Sequence, residues 1–255
     1  MRSEPSGRSR ALLAAGVLLG LALCALNRPL FLALNGAGHP VLDWLMLSLT
    51  HFGNGVVAAL LALLLVPFRR DLTVRAALAM LVAGVLTALV KDVVTMPRPP
   101  AVLGDAVRVL GPKLTMGSLP SGHTGTAFAL ACSLRGHLRE RVYYGVLAVA
   151  ALVGLSRVYI GVHFPVDVVL GALLGWLSAE ATRRPADRLI ERLAGPRPYL
   201  DATLLGLAAL SGVYLAFFEP MVRYNPWFLR PLGMGGTAAA LFFLASTGLS
   251  RRARS

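Results

Sequence analysis

Apolar runs recur along the chain, separated by short polar stretches that are mostly basic. Residues 11–26 are wholly apolar and read as a first membrane span; a signal peptide is the competing reading, against which Asn27-Arg28-Pro29 is a poor small-residue cleavage site and more apolar residues follow. Residues 30–52 mix Asn35, Gly36, Gly38, Pro40 and Asp43 into apolar sequence, which predicts a turn and then an interfacial segment over Val41–His51, with Trp44 at the membrane boundary. Further spans are predicted over Gly53–Phe68, Ala76–Val94, Ser121–Leu134, Val142–Leu155 and Phe164–Ala181. Two more follow, over Leu200–Phe218 and Leu232–Leu249. Arg69, Arg70, Asp71 and Arg75 read as a basic loop, and Arg183 to Arg197 as a polar linker. Pro97, Pro99 and Pro100 stop the third span and open a long loop, 96–119, with no strong period.

Composition agrees with this pattern. The 255 residues are 56% hydrophobic and 15% charged, against roughly 25% charged in soluble domains. A net charge of +13 raises nucleic acid as a partner, but the positive residues sit in short connections between apolar runs, so they report topology and the partner is the lipid bilayer. Lys91 and Lys113 are the only lysines among abundant Arg, Ala, Leu and Gly, a composition typical of a GC-rich bacterial gene. Cys24 and Cys132 lie inside apolar runs, and no disulfide is expected.

Polar residues stand out at one end of the spans. Ser156-Arg157-Val-Tyr-Ile-Gly-Val-His163-Phe-Pro165-Val-Asp167 places three chargeable groups between two apolar segments. Such groups at membrane depth are costly unless paired or wet. Pro165 suits a first helical turn, so His163 and Asp167, four apart, share a face. Asp167 then accepts from one imidazole nitrogen and leaves the other lone pair free, as in a nucleophile or base. By itself this stretch is equally a histidine capped by a carboxylate, with Arg157 snorkelling to headgroups. Because helices alternate in direction, Lys91 and Arg98, then Ser121, Gly122 and His123, then Arg157, His163 and Asp167 fall on one face. Three cations and the amides of a helix start favour an anion with charge spread over several oxygens. One histidine, oriented by Asp167, can attack phosphorus, and His123 can protonate the leaving oxygen. A serine hydrolase is disfavoured because Ser121 lacks a G-x-S-x-G turn, and a metal site because two His and one Asp are too few ligands beside three cations. His39, His51 and His137 read as loop or interfacial residues, and Asp92 as a local charge partner of Lys91.

Lys91-(six residues)-Arg98-Pro99, Pro120-Ser121-Gly122-His123, and Ser156-Arg157-(five residues)-His163-(three residues)-Asp167 together resemble the three-part signature of the type-2 phosphatidic acid phosphatase superfamily, over about residues 50–182. The resemblance implies a membrane-embedded, metal-independent lipid phosphatase without cofactors, with an all-α polytopic bundle. It implies His163 as a nucleophile that becomes a phosphohistidine, Asp167 as its orienting partner and His123 as general acid. Lys91, Arg98, Ser121, Gly122 and Arg157 would bind the substrate phosphate. The expected organisation is a six-helix core over residues 1–182, then a basic linker and two additional spans over 183–255. Three function classes fit: a lipid phosphate or diphosphate phosphatase, a phosphotransferase using the same intermediate, and a binder or transporter of lipid phosphates. A soluble haloperoxidase with the same anion cradle is excluded by the membrane composition.

Sidedness is expected from charge. Residues 1–10, 69–75, 135–141, 183–197 and 251–255 hold 17 of the 25 Lys and Arg residues, and the alternate connections hold eight. Basic short loops stay in the cytoplasm. Both termini are therefore expected inside, with eight spans, and the polar face outside the bacterial cytoplasmic (inner) membrane, in the periplasm if there is one.

Overall fold

The computed structural model describes residues 25–252, so nearly all of the first expected span, with Cys24, lies outside them. The described residues are helical, without strands; the one bridge pairs Pro97 with Met116. The helices are α1 (Ala25–Gly36), α2 (Pro40–Thr50), α3 (Gly55–Leu63), α4 (Val66–Val93) and α5 (Pro99–Leu103). Then come α6 (Gly122–Ser133), α7 (Glu140–Tyr159), α8 (Pro165–Arg192), α9 (Pro198–Phe217) and α10 (Pro226–Arg252).

Small residues set the centre of the bundle. α4, α6 and α8 pack on one another. Ala79 and Ala83 of α4 meet Ala129 and Cys132 of α6 and Ala179 of α8. A Cβ on Gly171 would press on the Ser121 carbonyl, and one on Gly175 on the Gly125 carbonyl. Where lipid surrounds the helices, small side chains that permit close backbone approach drive association better than bulk does. Large residues face out instead: Leu81, Val85 and Leu89, each four apart on α4, are exposed. Gly154 of α7 packs on Val168 and Thr124, α2 lies on α7, and α9 and α10 pair with each other and rest on α3.

Among the described residues, α4, α7, the Pro198–Arg223 stretch and Pro226–Ser246 are long and apolar enough to cross a membrane. α1 with the Pro40–Gly53 stretch makes one broken or re-entrant span bent by 119°. The protein is thus a polytopic membrane bundle, but several expected boundaries move. The Gly53–Phe68 span is divided. Asn54 caps α3, accepting from Val56 N at 2.8 Å, and α4 starts at Val66 with Pro67 in its first turn. The expected basic loop 69–75 is helix within α4, kinked at Arg69. Its charges are held without a loop: Arg70 grips Asp201 at 2.6 Å and Arg75 pairs with Asp187 at 2.6 Å. The expected linker is helix as far as Arg192, with Pro185 inside α8, which leaves 193–197 as the connection. The Val41–His51 segment is α2 and the turn after it. At ~1.5 Å per residue the 12 residues of α6 reach only part of an apolar layer about 30 Å thick. Its neighbours cover it, so it needs neither length nor apolarity all round.

Candidate active site

The third stretch is built by one tight turn. Gly161 (φ +84) ends α7 in a left-handed conformation, with the Arg108 carbonyl and Asn35 Nδ2 so near that a side chain would collide. The amides of Val162 and His163 return to the Arg157 carbonyl at 3.2 and 3.3 Å. Pro165 then starts α8 and puts Asp167 in its first turn.

Asp167 Oδ2 accepts from Phe164 N at 2.9 Å and from Ser118 Oγ at 2.5 Å, and lies 3.3 Å from His163 Nδ1. On the ring's other side Arg98 Nη1 approaches His163 Nε2 at 3.2 Å. A guanidinium only donates, so Nε2 holds the lone pair and Nδ1 carries the hydrogen that faces Asp167. His163 is 1% exposed. Burial first, and then the charges of Arg157, Arg98 and Lys91, hold its imidazole neutral, well below the ordinary 6.5.

The cations are fixed by backbone. Lys91, in the last turn of α4, donates to the Gly117 carbonyl at 2.7 Å. Arg98 donates to the carbonyls of Met116 (2.8 Å), Val162 (3.0 Å) and Gly117 (3.1 Å), which ties the long loop to the third stretch. Arg157, in the last turn of α7, donates to Thr50 Oγ1 at 2.7 Å. Ser121 N donates to the Asp167 carbonyl at 2.9 Å, so α6 begins directly against α8. Ser121 occupies the N-cap position, but its side chain accepts from Thr124 Oγ1 at 2.9 Å and makes no cap bond. The first amides of α6, at Gly122 and His123, have no intrahelical acceptor. His123 lies within electrostatic reach of Arg157, His163, His51 and Arg98.

All eight expected residues therefore gather in one cluster. Asp92 forms no ion pair with Lys91 among the described residues, because Lys91 turns to Gly117. His51 is not interfacial: it is 1% exposed and stacks on Phe228 of α10, ring centroids 5.7 Å apart. Sequence reasoning missed Ser118 and Thr50. A serine three residues ahead of Ser121 was a visible signal, whereas nothing near Thr50 pointed to Arg157, 107 residues away. Tyr159 donates to Asp43 Oδ1 at 2.6 Å, and Arg108 pairs with Asp43 at 2.7 Å, so α2, α7 and the long loop lock beside the site.

A model of the PAP2 superfamily matches residues 72–188, from early α4 to late α8. An undecaprenyl-diphosphatase of Sulfolobus acidocaldarius is 34% identical over 157 residues, covering 60% of this chain and 75% of that protein. The chain belongs to the PAP2 superfamily. A lipid A 4'-phosphatase of Porphyromonas gingivalis is 29% identical over 58% of this chain and 68% of that protein. The crystal structure of Aquifex aeolicus LpxE superposes with a TM-score of 0.59 at 35% identity, covering 62% of this chain and 95% of that one. The PAP2 match contains every expected site residue, while α9, α10 and the Thr50–His51 segment lie outside it.

Proposed function

We propose that this PAP2 protein is a membrane lipid phosphatase that hydrolyses a phosphate monoester or diphosphate of a lipid through a phosphohistidine on His163. The observation that carries the reading is a buried imidazole whose Nε2 lone pair faces a cluster of cations while Nδ1 faces a carboxylate. The similarity to an undecaprenyl-diphosphatase and a lipid A 4'-phosphatase supports a lipid as the phosphate's carrier.

In this mechanism Lys91, Arg98, Arg157, the Ser121 hydroxyl and the Gly122 amide hold the phosphate oxygens, and Arg98 Nη1 turns from His163 to the substrate. Nε2 attacks phosphorus as the bond to the leaving oxygen breaks, and His123, protonated when the anionic substrate binds beside it, gives that oxygen its proton. Water then attacks phosphorus and gives a proton to His123, and the phosphorus–nitrogen bond breaks with its electron pair returning to His163 Nε2. Phosphate leaves, and both histidines return to their starting forms. Asp167 holds the ring and offsets its developing positive charge. Three cations supply the charge stabilisation that carboxylate-bound metals supply elsewhere, so turnover is expected to survive chelation. The basic connections support a site on the outer face of the cytoplasmic membrane.

Purified protein in detergent is to be given polyprenyl diphosphate, phosphatidate, phosphatidylglycerol phosphate and lipid A. Phosphate release without an added acceptor lipid, abolished in His163→Ala, is expected. Label should be trapped on His163, and His123→Ala should slow turnover by roughly a hundred- to ten-thousand-fold. Release that requires an acceptor lipid makes the protein a phosphotransferase. Trapped phosphate on no histidine refutes the mechanism.

A further inference from the structure

Two buried polar atoms beside the cluster have no hydrogen-bond partner among the described residues: Nε of Arg157 and Nε2 of His51. They belong to one wall of the site. Thr50, which takes the Nη1 hydrogen bond of Arg157, is the residue before His51. His51 lies within electrostatic reach of both Arg157 and His123. Two residues on, Gly53 packs so closely on His123 that a Cβ would overlap its carbonyl oxygen and its Cβ.

The His51 ring is held in place. It stacks on Phe228 at 17° between planes, and Phe52 meets the Phe228 ring edge-on at 5.6 Å. One turn earlier in the chain, Asn225 Nδ2 donates to Ser48 Oγ at 3.1 Å, which fastens the start of α10 to α2. A buttressed ring with a buried, unpaired nitrogen keeps the full desolvation cost of that nitrogen. Arg157, whose charge reaches His51, carries the other unpaired nitrogen, so one acceptor could relieve both. An anionic oxygen is such an acceptor.

We propose that His51 is a further substrate-binding residue of this site, donating from Nε2 to an oxygen of the lipid phosphate held by Arg157, and that α10 fixes it there through Phe228. This rests on the lipid-phosphate reading above. It makes the C-terminal helix pair part of the working site.

The test uses full-length protein and orthovanadate, a phosphate mimic, with thermal stabilisation as the binding readout and KM and kcat on the lipid that wild type hydrolyses best. In His51→Leu, vanadate affinity should fall and KM rise by roughly tenfold to a hundredfold, as for a lost hydrogen bond to a charged group. His51→Gln, which keeps an N–H near the Nε2 position, should recover most of the loss. Phe228→Ala should weaken vanadate in the same direction but less. Unchanged vanadate affinity and KM in His51→Leu would overturn the proposal, as would Leu and Gln variants equally impaired, which marks a packing role. Wild-type affinity in Phe228→Ala would overturn the part played by α10. If wild type is stabilised by vanadate but releases phosphate from no lipid, the phosphatase reading fails while the thermal shifts still decide His51. Wild type that vanadate does not stabilise overturns the binding role itself.

Discussion

Asp167 Oδ2 serves Phe164 N, Ser118 Oγ and His163 Nδ1 at once, and those contacts fix which ring nitrogen is free to react. The i, i+4 spacing made the His163–Asp167 pair readable in advance. Ser118 was not, since it reaches Asp167 across 49 residues from a loop without a period. The His163 environment has a consequence for pH. Its pKa is depressed by burial and by Arg157, Arg98 and Lys91, so the neutral ring that the proposed mechanism needs persists as pH falls below 6.5 and is lost only when protonation wins at lower pH. Arg98→Gln removes one of those charges and should raise the ring's pKa. The acidic limb of kcat/KM, which reports the free enzyme, should then move to higher pH than in wild type on the same lipid. The substrate's own titration is common to both profiles. A limb that stays put or moves down contradicts the assignment of that limb to His163.

At the scale of elements, the site depends on how closely α6 and α8 approach. Ser121 N bonds the Asp167 carbonyl only because Gly171 lets the two backbones meet one turn further in. Gly171→Ala puts a methyl against the Ser121 carbonyl, and overpacking of this kind costs about 1–3 kcal/mol. It should lower the thermal midpoint in detergent and reduce turnover more than that stability loss accounts for, since Ser121, Gly122 and His123 shift together. Gly206→Ala, in open space on α9, should leave both unchanged. A Gly171→Ala protein with wild-type kcat would show that the helices can separate without disturbing the site. The boundaries that moved belong to this scale too. Arg70 and Arg75 looked like loop residues because unpaired charges within an apolar membrane segment are expensive; Asp201 and Asp187, more than a hundred residues on, pair with them and lower that cost.

For the whole molecule, the question is which way the bundle faces. Arg75 at the start of α4 pairs with Asp187 near the end of α8, and Arg70 with Asp201 at the start of α9, so the basic regions gather at the end opposite the cluster. By the positive-inside rule that end is expected in the cytoplasm. Single cysteines at the exposed positions Asp105 and Glu140, in a background lacking Cys24 and Cys132, provide the check. An impermeant thiol reagent on intact cells, with any outer membrane permeabilised, should label position 105 and spare 140. Labelling of 140 alone would put the active site in the cytoplasm.

Apolar run length, basic connections and the spacing of Lys91, Arg98, Ser121, Gly122, His123, Arg157, His163 and Asp167 determined the membrane class, the family and the expected site without coordinates. Each is a property of neighbours along the chain, or of helices that alternate in direction. What only the tertiary structure decided are the relations between distant residues. These are the lone pair on His163 Nε2 set by Arg98, the clamp of Thr50 on Arg157, and the burial of His51 under Phe228. α9 and α10 carry no motif and read as two more apolar spans. Their place against α3 and His51 comes from packing, where Gly212 and Gly233 let the two helices close and Leu229 and Leu215 bury against Val57 and Leu60. Packing of that kind is written in shape, and an apolar run does not reveal which apolar surface it will meet.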